Sequence, residues 1–186
     1  ACTAAGYNVT AAVVDRAGSA AQQAALLGPL MAGATRLALA HGEDDARYQL
    51  SNVSATARRQ GDGWVLDGKV AAVALGAEVC RALLLAETDD GLRLVSVNLR
   101  EAGIDKVAGV LTHREAVADL RFSAHRLAAD AVLPEAALPW LEQRVIAAIA
   151  ALQLGVSAEQ VRRTVEYVNE RRQFDRPIGS FQLVAG

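Results

Sequence analysis

The spacing of apolar residues changes twice along this 186-residue chain, and that double change limits the folds open to it. From the start to about Thr35 the spacing is helical. From about Leu37 to Leu133 short runs and alternations are punctuated by turn residues, and from Pro139 onward the spacing is helical again. A helix buries a stripe and a strand buries one face, so each switch marks a change of layer. The pattern predicts an α+β chain. A helical segment over 1–36 precedes an antiparallel β-sandwich or barrel domain over 37–135, and long antiparallel helices of an incomplete bundle begin over 136–186. Helical ends with little to pack against predict further helical portions on both sides.

Local signals fill in this outline. Ser19-Ala-Ala-Gln22 fits a capping box, in which two side chains satisfy free N–H groups at a helix start. Gly28-Pro29 predicts an interruption, with Pro29 opening the next helix. Gly61-Asp62-Gly63 and Asp89-Asp90-Gly91 sit between apolar runs and read as hairpin turns. Leu92 to Val97 and Val117 to Phe122 alternate in the manner of half-buried strands. Pro139 suits the first position of a helix. Leu154, Ala158, Val161, Val165 and Val168 form one stripe of a helix running to about Arg172. Asp175-Arg176-Pro177 stops that helix, and Ser180 is placed to cap another.

Composition narrows the function. Net charge is −2 and no compact basic run is present, which argues against a nucleic-acid partner. Arg58-Arg59 and Arg162-Arg163 read as solvated faces. With aromatic residues at 4%, aliphatic side chains must make the core. Cys2 and Cys80 have neither metal-ligand spacing nor a disulfide framework, and Cys80 reads as a small buried hydrophobe. His41, His113 and His125 are scattered; His41, at a predicted strand end, is the most interesting. No metal site is expected. The run Val145 to Leu152 is too short to span a bilayer and reads as a buried helix, so no membrane association is expected. No signal-peptide pattern is visible, and a reduced, cytoplasmic setting follows as the default.

The most specific segment is Tyr167-Val-Asn-Glu-Arg-Arg-Gln-Phe-Asp-Arg-Pro-Ile-Gly-Ser-Phe-Gln182. It resembles the helix-turn signature of acyl-CoA dehydrogenases, where a helix ends in Arg-x-Gln-Phe-Gly-x-Pro-Ile and the next opens with Phe-Gln. In the same order, Gly18-Ser-Ala-Ala-Gln22 resembles the family's Gly-Ser-x-x-Gln helix. Gly61-Asp-Gly-Trp-Val-Leu-Asp-Gly68 resembles its Gly-Asp-Gly-Tyr-x-Leu-x-Gly hairpin, and Ala131-Val-Leu-Pro134 resembles the exit from its β-domain.

The resemblance implies FAD as cofactor, an acyl-CoA thioester as substrate, and α,β-dehydrogenation as the reaction. A carboxylate would take the α-proton while the β-hydride passes to the flavin. It also implies a homo- or hetero-oligomer, dimer or tetramer, in which this turn reaches a neighbouring subunit's FAD, and an electron-transferring flavoprotein as acceptor. By the same resemblance, Arg171 would meet the pyrophosphate, where a planar fork of donors suits phosphate oxygens. Phe174 would pack on the cofactor, Gln182 would bond its adenosine half, and Gln173 and Ile178 would flank it. The plainer reading is that Arg171 and Arg172 complement a helix C-terminus and Phe174 plugs a turn.

Several positions depart from the family pattern. Where the family carries Thr-Glu-Pro-x-x-Gly-Ser-Asp, this chain reads Ala38 to Tyr48, with Glu43 alone as a match. Where it carries Lys-x-Trp-Ile-Thr-Asn-Gly-Ala, this chain reads Val70 to Ala77, with Ala72 in place of the Trp and Ala74 in place of the Thr. Backbone N–H groups there remain as donors toward a flavin. A catalytic carboxylate that some members carry early in the last helix is replaced by Val145, with Glu142 out of register. No catalytic residue is therefore assigned. Three readings follow: a dehydrogenase of this type; a degenerate subunit that completes its partner's FAD site; and a cofactor-free scaffold.

Overall fold

The computed structural model describes residues 2–41, 53–74 and 79–185, with side chains from 8 to 184 within those ranges. Two compact units are present, Ala1–Val145 and Ile146–Gly186.

In the first unit, helices α1 (Cys2–Ala17) and α2 (Ala20–Met31) precede seven strands: β1 (Leu37–Ala40), β2 (Thr56–Gln60), β3 (Gly63–Ala74), β4 (Arg81–Thr88), β5 (Gly91–Asn98), β6 (Ile104–Val110) and β7 (Ala116–Leu127). Ser19 caps α2 through the expected capping box, its hydroxyl accepting from the Gln22 N–H at 3.2 Å. Pro29 does not break the helix. It lies in the last turn of α2, where the helix ends two residues later and little hydrogen bonding remains to be lost. Its carbonyl accepts the N–H groups of Ala34 and Thr35 as the chain turns toward β1.

The strands form one curled, mostly antiparallel sheet. β1 and β2 follow one another along the same edge of β4, both parallel to it: Leu37 pairs with Arg81 and Thr56 with Glu87. β5 takes the other edge of β4 through a hairpin, and β2–β3–β7–β6 continue antiparallel. The two parallel pairings join segments far apart in sequence, so local pattern gave no sign of them. The β2–β3 turn is the expected hairpin, but the positive φ of 64° falls on Gly61 rather than on the glycine after Asp62. At Gly63 a side chain would instead meet the Leu127 carbonyl oxygen at 2.5 Å.

The inner face of the sheet encloses an aliphatic core with Leu66, Val70, Val73, Leu84, Val95, Val97 and Leu120 at its centre. Trp64 and Phe122 join it, and the Trp64 indole N–H reaches the Ala129 carbonyl at 3.3 Å. By strand alternation, Leu37, Leu83, Leu85 and Leu94 point the other way, yet they too are buried. α1 packs against β1 and α2; it brings Val13 and Val14 into this second layer, and α2 brings Leu26. Burial on both faces explains why Ala82 to Ala86 is an unbroken apolar run. Cys80 is buried and free, as expected.

Helix α3 (Ala137–Glu170) begins in the first unit and makes up most of the second. Pro139 is its third residue, not its first; the N–H groups of a first turn lack helical partners, so nothing is lost there. In the second unit α3 is exposed. Ile146 and Ile149 lie open at 63% and 58%, which corrects the expectation of a buried segment over Val145 to Leu152. Leu154, Val161 and Val165 are open too. By length and composition α3 contains a stretch apolar enough to cross a membrane, with mean hydropathy 1.2. Further along, Glu159 pairs with Arg162 and Arg163 at 2.8 and 2.6 Å, as a solvated face should. α3 ends at Glu170, before the expected stop at Asp175 to Pro177. Two short strands, β8 (Arg172–Gln173) and β9 (Arg176–Pro177), and a short helix, α4 (Gln182–Ala185), complete the unit. Ser180 does not cap α4: its hydroxyl donates to the Pro177 carbonyl at 2.7 Å.

Candidate functional site

Two patches bear on function, one in each unit. In the second unit the chain leaves α3 with the Arg171 N–H still bonded to the Tyr167 carbonyl at 2.9 Å, then turns back through the β8–β9 hairpin. Phe174 and Asp175 form its two-residue loop, with φ of 53° and 61°. Two successive positive φ values give the turn that matches strand twist, and Asp tolerates it. A bulky residue there is an outlier, costing about 1–3 kcal/mol. Phe174 is nevertheless 88% exposed, so burial of its own side chain does not account for its presence.

The hairpin gathers the five predicted residues. The Ile178 N–H donates to the Arg171 carbonyl at 2.8 Å. The Gln173 amide folds onto the Arg172 carbonyl at 2.9 Å, Phe174 stands at the tip, and Gln182 opens α4 on the surface. The plug reading of Phe174 fails, because the ring meets only the edge of Phe181, at 6.2 Å between centroids, and stays open to solvent. Three residues beyond the sequence reading shape the patch. Tyr167 accepts a hydrogen bond from Arg171 at its hydroxyl, and Arg176 stacks over Phe181 at 3.9 Å. The four-residue step from Tyr167 to Arg171 on a helix was the available signal. Among the described residues, none of Arg171, Arg172 and Arg176 pairs with a carboxylate.

The second patch lies at the end of β3. Val70 and Val73 are both in the inner core although only three residues apart, so the alternation slips between them. The slip is a β-bulge with Ala72 at φ 50°, and the Ala72 N–H donates to Asp119 Oδ1 at 2.8 Å. Ala72 is exposed and Ala74 half-buried. The Ala72 N–H is thus already bonded and is not a free donor for a flavin. A matching bulge sits further back: Ala124 has φ 48° and its N–H donates to Asp67 Oδ1 at 2.7 Å. Glu43 and Ala77 lie outside the described residues.

Residues 143–186 match the family model described as acyl-CoA dehydrogenase, C-terminal domain. Acyl-CoA dehydrogenase FadE27 of Mycobacterium tuberculosis is 34% identical over 125 residues, which is 67% of this chain and 34% of that protein. The solved structure named Tcur3481-Tcur3483 steroid ACAD G363A variant superposes with a TM-score of 0.87 at 32% identity, over 97% of this chain and 49% of that one. The chain belongs to the acyl-CoA dehydrogenase family. A glutaryl-CoA dehydrogenase from Mycobacterium smegmatis, solved in complex with FADH2, superposes with a TM-score of 0.83 at 26% identity, over 95% of this chain and 47% of that one. The chain spans a third to a half of the length of the curated relatives it matches.

The family match also accounts for α3, most of which falls within the matched C-terminal domain. Val145 is half-buried and its side chain offers no proton-accepting atom, and Glu142 is exposed. His41 is exposed, His113 pairs with Glu115 at 2.8 Å, and the buried His125 lies 3.4 Å from Glu101.

Proposed function

We propose that this chain serves FAD-dependent α,β-dehydrogenation of an acyl-CoA thioester, and that its β8–β9 hairpin completes the FAD site of a neighbouring subunit. The observation that carries this reading is the exposed Phe174 ring, held at positive φ in a turn that also carries Arg171, Arg172 and Arg176, none of which pairs with a carboxylate among the described residues. A strained, exposed aromatic side chain on a turn that also carries three arginines suits a ligand that is both flat and anionic. A dinucleotide supplies a pyrophosphate for the guanidinium fork and planar rings for the aromatic surface. Arg171 would hold the pyrophosphate, Phe174 would pack on the cofactor, and Gln182 would bond the adenosine half, with Gln173 and Ile178 flanking. FAD, when bound, supplies the hydride acceptor. An electron-transferring flavoprotein would then reoxidise the assembly. The FADH2 complex of the glutaryl-CoA dehydrogenase relative supports the cofactor.

A second reading has a specific observation behind it. At the end of β3, Ala72 and Ala74 offer neither a ring nor a hydroxyl, and the Ala72 N–H is occupied by Asp119. A chain with that face is suited to lending its hairpin to a partner while holding no flavin itself. The name of the steroid ACAD relative joins two proteins, which supports a heteromer.

The test is the visible spectrum of the assembled protein, purified with and without the product of its neighbouring gene. Flavin in the protein expressed alone supports the first reading. Flavin only on co-expression supports the second. A colourless protein in both preparations overturns both.

A further inference from the structure

We infer that Asp119 is a positioning residue: its carboxylate fixes the bulge in β3 and so decides which side chains the end of that strand turns outward, toward a flavin. The inference rests on the first reading above.

The argument is one of parity. Side chains alternate along a strand, so a one-residue slip turns every later side chain to the other face. Without the bulge, Ala72 and Ala74 would point inward with Val70, and Val73 would point out. With it, Val73 returns to the inner core, while Ala72 is exposed and Ala74 pairs with Val117, which lies outside that core cluster. Ala72 and Ala74 are the two positions that the family resemblance sets beside the flavin. The outward presentation of both depends on a conformation that alanine disfavours. The Ala72 N–H is left without a regular ladder partner at the slip, and Asp119 Oδ1 accepts it from the neighbouring strand β7 at 2.8 Å. β3 holds its own control. Asp67 accepts the Ala124 N–H at 2.7 Å in the same manner, but at the earlier slip and on the opposite strand. Two bulges of the same chemistry therefore separate a local folding role from a role in presenting the strand end.

The experiment uses the assembled protein and compares wild type with Asp119→Ala, Asp119→Asn, Asp67→Ala and the double variant Asp119→Ala/Ala72→Gly. FAD affinity is read from retained flavin during dilution and from flavin fluorescence on release, with thermal unfolding recorded for each. Asp119→Ala is expected to weaken FAD retention roughly tenfold, the scale of one hydrogen bond to a charged group. Asp119→Asn keeps an acceptor and is expected to stay near wild type. The double variant is expected to recover retention, because glycine takes the positive φ unaided. Asp67→Ala is expected to lower the unfolding temperature and leave FAD retention unchanged. Wild-type retention in Asp119→Ala overturns the inference. So does equal loss in Asp67→Ala, or a double variant that folds but does not recover. If Asp119→Ala does not fold, a folded double variant with wild-type retention supports the bulge role, and one that loses FAD overturns it. A wild-type assembly without flavin defeats the first reading itself, which separates the two failures.

Discussion

The Gln22 side-chain amide donates to the Asp130 carbonyl at 2.7 Å, joining the first turn of α2 to the exit from β7 across most of the first unit's sequence. The same nitrogen reaches the Val132 carbonyl at 3.1 Å, while the amide oxygen accepts the Ser19 N–H at 2.9 Å. One buried side chain thus closes a helix cap and ties two segments together. Replacing Gln22 by Ala removes all of these bonds and should cost about 2–4 kcal/mol, from the cap and the net worth of two further bonds. Gln22→Glu keeps the acceptor for Ser19 but sets a carboxylate against two carbonyls. It should destabilise at least as much at neutral pH, and less once the carboxyl is protonated. Urea unfolding at pH 7 and pH 4 measures both.

Phe174 separates stability from cofactor binding. Phe174→Gly relieves a positive-φ position at a tip that buries almost nothing, so thermal stability should hold or rise by about 1 kcal/mol. FAD retention by the assembly should fall. A variant that loses stability and keeps its flavin would make Phe174 a folding residue and remove it from the proposed site.

Leu84 and Leu154 make a matched pair. Leu84 is fully buried in the inner core, and Leu84→Ala should cost about 2–5 kcal/mol. Leu154 is 73% exposed, and in a chain with that face open Leu154→Ala should change stability by less than about 0.5 kcal/mol. Denaturant midpoints for the two variants in the assembled protein give the comparison. A cost at Leu154 approaching that at Leu84 would mean the assembly covers the stripe.

Arg162 and Arg163 hold the Glu159 carboxyl down to about 2, from an ordinary value of 4.5. A depressed carboxylate stabilises fully above its unfolded value, so any contribution is present above about pH 4.5 and is lost as pH falls through about 2. The group is solvated, and the effect should be small and sensitive to salt. Side-chain NMR titration should place the Glu159 midpoint well below those of unpaired glutamates at low ionic strength. In 1 M salt it should move upward; a midpoint unmoved by salt would show that the arginines are not its cause.

Features that depend on neighbouring residues were legible in the sequence. The capping box of Ser19 and Gln22, the turn at Gly61 and Asp62, the alternation in β7 and the break in the helix before Pro177 all declare themselves within a few positions; the β8–β9 hairpin that makes that break did not. Features set by a distant partner did not. Nothing beside Ala72 marks it for positive φ; the cause is Asp119, on a strand reached only after folding. The parallel seat of β1 on β4 is equally non-local. Pro29 misled because its effect depends on how much helix follows it, and only two residues do. The plainer alternative for Phe174, a turn plug, was open because local pattern reports hydrophobicity and not which side faces solvent.

The seat of β1 on β4 also sets a timetable. During synthesis β1 emerges before β4, the strand it pairs with, which is made only some forty residues later, a wait of about two to eight seconds at ordinary elongation rates. Throughout that interval the backbone of Leu37 to Ala40 lacks the strand it pairs with, so this edge of the nascent chain stays open to wrong pairing until β4 leaves the ribosome.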